Sequence, residues 1–235
     1  MRKIFFSQLV FLSFLSAFNT LAEDAISGYC GPKDGDGNYG SNCEWNYDEE
    51  SKTLTISGSG SMYGSATTYD FPWSKGVSFY GNIQNVVIEK GITNLGSHSF
   101  YQASRLTNVT MSDSLTSIDW NVFRGTQVAF LVIPDSVTSI HGSLGSGPLA
   151  GTLTTLYCSE VQRKMCKDAL KWSGLNADQV LQTYQKMGKE YYFGGRFYRS
   201  PNDIGTTNNI KKRIYTINEA NQVAGKTNTF RIKYR

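Results

Sequence analysis

From residue 83 to residue 147 the apolar positions of the chain repeat in fixed columns. Three segments align: IQNVVIEKGITNLGSHSFYQASR (83–105), LTNVTMSDSLTSIDWNVFRGTQ (106–127) and VAFLVIPDSVTSIHGSLGSG (128–147). The columns are Ile83/Leu106/Val128, Val86/Val109/Leu131, Ile88/Met111/Ile133, Ile92/Leu115/Val137, Leu95/Ile118/Ile140 and Phe100/Phe123/Leu144. The copies start 23 and 22 residues apart, and a partial fourth, LTTLYCSE, begins at Leu153 after an insertion at 142–152. Within each copy, V-x-I followed by I/L-x-x-L/I predicts two short strands, and the Phe column predicts one turn of helix or 3₁₀. One copy puts too few apolar side chains on one side of the coil to offset the entropy of ordering its backbone. Copies must therefore stack, and both ends of the stack must be covered.

The flanks supply candidates for that cover. In the lead-in, residues 26–73, Thr53, Thr55 and Ser57 interleave with Leu54 and Ile56, and Gly58 and Gly60 follow, as in a hairpin. After the repeats, Ser159-Glu160-Val161-Gln162 has the form of a capping box. Val161, Met165, Ala169 and Trp172 then recur at helical spacing, and Gly174 stands where a C′ glycine would. Asn176 is placed to cap a second helix running to about Met187. In the last part, EYYFGGRFYRS and TFRIKYR predict strands and TINEANQVAG a short helix between strands. The predicted fold is β-rich α+β: a β cap over 23–80, a short solenoid over 81–158, a helical cap over 159–187 and an appendage over 188–235.

The columns resemble BspA-like leucine-rich repeats, most closely in VIPDSVTSI (132–140). The resemblance extends upstream through CEWNYDEESKTLTISGSGSMYG (43–64) and Pro72-Trp73, and covers about Cys30 to Cys158. It implies a secreted or cell-surface protein with an extended binding face, adhesion being among the family's roles.

The N-terminus adds a location. Arg2 and Lys3 precede a mostly apolar run, residues 4–18, and Thr20-Leu21-Ala22 offers small residues for cleavage. That layout predicts a signal peptide over 1–22 and export to the periplasm, the cell surface or the medium. A membrane anchor fits less well, because the apolar run is short of the ~20 residues a spanning helix needs. The four cysteines of an exported chain predict disulfides. Three pairings are open, and closeness in sequence favours Cys30–Cys43 and Cys158–Cys166. Neither pair has the spacing of a structural zinc site. Charge divides the mature chain: 10 basic and 16 acidic residues over 23–185, against 11 basic and 3 acidic over 186–235.

Candidate chemistry is sparse, and no metal or cofactor is called for. His98 and His141 occupy different columns, and no G-x-S-x-G elbow is present. Asp34-Gly35-Asp36-Gly37-Asn38 lacks the sixth-position Gly and twelfth-position Glu of an EF-hand loop, and turn chemistry accounts for it. Asn108-Val109-Thr110 is a sequon on a strand, read as a chance match. The best binding candidate is the outward face of the first strands. If Val86, Val109, Leu131 and Leu156 point inward, Val87, Thr110, Val132 and Tyr157 point outward, with Phe130 in the adjoining row. The competing expectation is that the insertion or the tail covers this face. In the tail, Lys211, Lys212 and Arg213 cluster, and Arg231, Lys233 and Arg235 alternate with Phe230, Ile232 and Tyr234. Such a strand could meet an anionic envelope surface, or dock on the chain's own acidic front; on the first reading 189–235 is separable from the solenoid. The expected function is recognition of a protein or glycan outside the cytosol. A structural envelope protein held by its tail is the first alternative, and a hydrolase on a solenoid scaffold the second.

Overall fold

The chain enters the fold as an antiparallel meander, β1 (Ser27–Lys33), β2 (Tyr39–Asp48) and β3 (Thr53–Gly58). The computed structural model describes residues 26–65, 70–74, 77–144 and 152–204. The expected signal peptide and the cations Lys211, Lys212, Arg213, Arg231, Lys233 and Arg235 lie outside the described residues. The pleat sends Leu54 and Ile56 into the core and leaves Thr53, Thr55 and Ser57 on the other side. Cys30–Cys43 joins β1 to β2.

At β3 the sheet changes from antiparallel to parallel. After β4 (Gly60–Ser61), each repeat contributes two strands: β5 (Asn85–Ile88) and β6 (Ile92–Leu95), β7 (Asn108–Met111) and β8 (Ser117–Ile118), β9 (Phe130–Val132) and β10 (Ser139–Ile140). The first strands stack in register, Leu54 beside Val86 beside Val109, and Ile56 beside Ile88 beside Met111. The second strands form a parallel sheet in the order β10-β8-β6-β4. The columns read from the sequence form most of the core: Ile83, Leu106 and Val128 are fully buried, as are Leu95, Ile118, Phe100 and Phe123, while Val109 and Ile140 are half-buried against it. An aromatic stack runs up the third side, Phe71 on Trp73, Trp73 on Phe100 and Phe100 on Phe123, with centroids 5.2–5.9 Å apart.

The third side of each coil is a series of turns, in place of the expected single turn of helix or 3₁₀. His98, Phe100 and Gln102 donate their N–H groups to Trp120, Val122 and Arg124 of the next coil. Donors spent between coils are not available for a helix within one. Positive φ at His98 and Gln102, and at Asn121 and Gly125 one coil later, turns the alternate groups along the stack.

Beyond β10 come β11 (Thr155–Ser159), a 3₁₀ turn at Glu160–Gln162 and the helix α1 (Arg163–Trp172). Gln162 Oε1 accepts from Ser159 N–H, and its amide donates to the carbonyls of Pro134 and Val137, tying the helix start to the third coil. Cys158–Cys166 turns Cys166, Ala169 and Leu170 inward. Val161 and Trp172, expected on the buried stripe, are 90% and 65% exposed. The cause is the 3₁₀ turn, which takes Val161 out of helical phase, and the disulfide, which selects a different face. The second helix, α2 (Ala177–Val180), is also shorter than expected. Residues expected to continue it form β12 (Leu181–Met187), parallel to β11, with Leu181 beside Leu156, which in turn lies beside Leu131. The edge of β11 offers unpaired backbone groups, and satisfying them outweighs local helix formation. β13 (Glu190–Phe193) and β14 (Arg196–Tyr198) follow as a hairpin, turned at Gly194-Gly195, both at positive φ.

The first-strand sheet is interrupted between β7 and β9. Up to this point each coil hands its amides to the one before: Gln84 and Asn85 donate to Lys52 O, and Thr107 and Asn108 to Gln84 O. At the seam Gln127 N–H reaches Leu106 O instead. At the strand ends Glu89 N–H donates to Ile56 O, but the equivalent residue of the third coil is Pro134, which has no N–H. The Met111 carbonyl accepts instead from Asn202 Nδ2, at 2.8 Å, in the 3₁₀ turn Pro201–Asp203.

Ile118 lies midway in the stack with no solvent exposure. Ile118→Asp would bury an unpaired carboxylate between coils at a cost of several kcal/mol, set against about 5–15 kcal/mol for a whole domain. Far-UV circular dichroism at physiological temperature is expected to report an unfolded chain; a wild-type melt would refute this register of the columns.

Candidate functional site

On β3, β5 and β7 the outward row is Thr55, Val87 and Thr110, adjacent in register, with Thr53, Asn85 and Asn108 in the row beside it. Val87 is half-buried and Thr110 exposed. Asparagine amides tie the second row together: Asn85 Nδ2 donates to Ser51 O, and Asn108 Nδ2 to Asn85 Oδ1, each at 2.9 Å. Asn108 of the sequon is thus one rung of an exposed ladder.

Past the seam the same face is closed. Val132 is buried and Tyr157 half-buried, beneath β12 and the β13–β14 hairpin. Tyr157 meets Phe193 edge-to-face at 5.2 Å, and Tyr184 meets Tyr191 at 5.6 Å. The Tyr184 hydroxyl donates to Ile133 O at 2.7 Å, and burial pushes this phenol far above its ordinary pKa. Asp135 accepts from Lys186 Nζ at 2.6 Å and from the Tyr191 hydroxyl at 3.2 Å. The hydrogen bond to Asp135 raises the Lys186 pKa above its usual value. The continuous stripe expected from Val87 to Tyr157 is therefore divided: Val87 and Thr110 face out, Val132 and Tyr157 are covered, and Phe130, 47% exposed, stands at the border. The cover comes from β12 and from the first part of the tail, so 190–204 is part of the fold and not of a separable arm.

Where the hairpin meets the seam, a cleft of about 250 Å³ opens between Ser112, Asp113, Asp135, Tyr191, Arg199 and Asn202. It holds both signs of charge, and the buried Asn202 Oδ1 has no donor within it. The arrangement suits a polar group that both donates and accepts. The sequence signal for this cleft is Pro134 itself, a residue without an N–H in the column of Glu89 and Ser112.

The two histidines lie elsewhere and apart. His98 Nδ1 is 3.1 Å from Ser65 O, and His141 Nδ1 is 2.9 Å from Asp119 Oδ1. In the Asp34 turn, one carboxylate oxygen accepts from the amides of Asp36 and Asn38. These bonds, Asn38's first, lower the Asp34 pKa. Among the described residues no three His, Cys, Asp or Glu side chains converge as metal ligands do.

Parallel coils stacked at a spacing of 23 and 22 residues define the class: a repeat protein whose core is shared between neighbours. Residues 75–144 match the BspA type leucine rich repeat region in six copies. The chain carries a BspA-type leucine-rich repeat region over that segment. No curated protein matches the chain. Among solved structures, a leucine-rich repeat protein from Eubacterium ventriosum is similar at 20% identity and a TM-score of 0.38, over 66% of this chain and 47% of that one. A leucine rich cell surface protein from Faecalibacterium prausnitzii aligns at 12% identity and a TM-score of 0.28, over 68% of this chain and 60% of its own. The leucine rich repeat protein of T. pallidum aligns at 15% identity and a TM-score of 0.25, covering 52% and 71%. The match thus spans less than two thirds of the first two.

Asn202→Ala would leave the Met111 carbonyl without its donor, and is expected to cost about 1–3 kcal/mol in urea denaturation. Hydrogen exchange should quicken in β13 and β14 before β5 and β7. Unchanged exchange in the hairpin would mean that Asn202 is not what holds it at the seam.

Proposed function

We propose that the protein is an exported binding protein, a short leucine-rich repeat solenoid that holds a protein or glycan partner outside the cytosol. In this reading β1–β3 cap the first coil and α1 caps the last. The partner rests on the open part of the first-strand face, Thr55, Val87 and Thr110, and reaches the seam cleft beside it. The observation that carries the reading is the unequal treatment of one face. Its C-terminal half is sealed by aromatic packing, while its N-terminal half keeps an ordered, accessible row on three hydrogen-bonded strands. A flat face with rigid backbone offers partner contacts at little ordering cost. Two disulfides support an oxidising compartment, as the leading segment does. The repeat region supports binding over chemistry, subject to the rule that fold alone does not set function.

The charge split supports a second contact. With residues 205–235 attached, the chain ends in Lys211, Lys212, Arg213, Arg231, Lys233 and Arg235, a set suited to anionic envelope groups. Deleting 205–235 is expected to abolish binding to vesicles containing anionic lipid. Binding by the full chain should weaken as salt shortens the Debye length below ~8 Å. Retention of binding after the deletion would refute the tail as the anchor.

Val87→Glu and Thr110→Arg alter outward side chains and should leave stability within about 0.5 kcal/mol. Each is expected to reduce capture of envelope or host-surface ligands at least about tenfold, a loss of ~1.4 kcal/mol. Equal capture by wild type and both variants would move the binding site off this face.

A further inference from the structure

The corner after the second strands carries a different surface, on the side of the coil away from the seam cleft. Trp120 is 48% exposed and Trp172, projecting from the end of α1, is 65% exposed. Their rings meet edge-to-face, with centroids 6.4 Å apart and planes at 69°. Neither indole is free to sweep through solvent. The six-membered ring of Trp120 rests against Gly142, one coil on, where an added Cβ would come within 2.3 Å of the ring. Trp172 is placed by α1, which Cys158–Cys166 fastens to the last coil.

Beside Trp120, in the neighbouring column, Asp119 and His141 form a pair across adjacent coils, Nδ1 to Oδ1 at 2.9 Å. The His141 side chain is 56% exposed. Among the described residues Asp119 Oδ2 has no donor and His141 Nε2 no partner. Asp119 Oδ2 lies toward Gly64, 3.9 Å from where that residue's Cβ would stand.

The size of the patch selects the kind of ligand. At about 150–250 Å² for a whole aromatic side chain, the exposed parts of two indoles come to roughly 170–280 Å². A stable protein interface buries about 800 Å² on each partner, with an apolar centre. Here a small aromatic surface is bordered at once by a carboxylate and an imidazole. A pyranose ring has that composition: one face of C–H groups to lie on an indole, and equatorial hydroxyls at its rim to donate to a carboxylate and to pair with an imidazole nitrogen. We propose that Trp120, Trp172, Asp119 and His141 form a carbohydrate-binding subsite for a neutral pyranose unit of a glycan. The ring stacks on Trp120 against the wall of Trp172, and neighbouring hydroxyls engage Asp119 Oδ2 and His141 Nε2. The subsite is separate from the strand face, and either can fail without the other.

The test is titration of the full chain with cello-, manno- and chito-oligosaccharides up to about 10 mM, read by indole fluorescence and calorimetry. At least one series is expected to quench fluorescence and bind with a Kd of ~1 mM or tighter. Trp120→Ala should weaken that binding at least about tenfold. Asp119→Asn, which keeps shape and loses charge, should weaken it several-fold, and circular dichroism should be unchanged in both. Lys90→Ala, at an exposed position of the first coil outside both surfaces, should bind the sugar as wild type does. If Trp120→Ala does not fold, Asp119→Asn and Trp172→Ala decide the matter by the same readout. Three results would overturn the proposal: no response to any series, a response that Trp120→Ala and Asp119→Asn leave intact, or quenching by choline with none by the sugars, which would make the corner a cation cage.

Discussion

The backbone hydrogen bond between successive coils is the constraint from which the rest of the structure follows. A corner carbonyl without a donor in its own coil must find one in the next, because a buried unpaired carbonyl is costly. Lys52 and Gln84 each accept two amides from the coil that follows, and Thr116 and Thr138 add hydroxyl donations to the coil before. These bonds set the register, and the register brings Ile83, Leu106 and Val128 into one column. The same bonds run along the third side, where they displace the helical turn that the Phe column predicts.

The seam is the place where this constraint meets a residue that cannot obey it. Pro134 has nothing to donate, and the ladder from β7 to β9 is broken. Asn202 answers from more than 90 residues along the chain, and brings the hairpin down on Val132 and Tyr157. Three features of the outward face meet at this seam: a half sealed by the hairpin, a half left open, and the cleft between them.

The ends of the stack obey the same rule by different means. At the front, the antiparallel meander supplies β3 as a parallel partner for β5. Lys33 secures the following loop, its ammonium 4.7 Å from the ring centroids of both Tyr39 and Tyr63 and bonded to Asp70. At the back, β12 continues the sheet and α1 covers the core, with Cys158–Cys166 fixing its rotation. That rotation leaves Trp172 outside, next to Trp120, where a periodic reading of α1 places it inside.

The sequence by itself determined the repeat, its apolar columns, the strands built on them and the resemblance to a leucine-rich repeat family. It also favoured the two disulfides found, and the interleaving of Leu54 and Ile56. These are short-range or periodic properties, written in the spacing of side chains that must share one side of a coil. Tertiary structure decided what depends on contacts between distant residues. It made Leu181–Met187 a strand because the edge of β11 lay open. It turned Trp172 outward because a disulfide chose the helix face, and Val161 because a 3₁₀ turn took it out of helical phase. It covered Val132 and Tyr157 because Tyr184 and Lys186 found partners in the third coil and Asn202 in the second. No window of sequence contains both halves of such a contact, so the division of the face into a sealed part and an open part became visible only when the chain was folded.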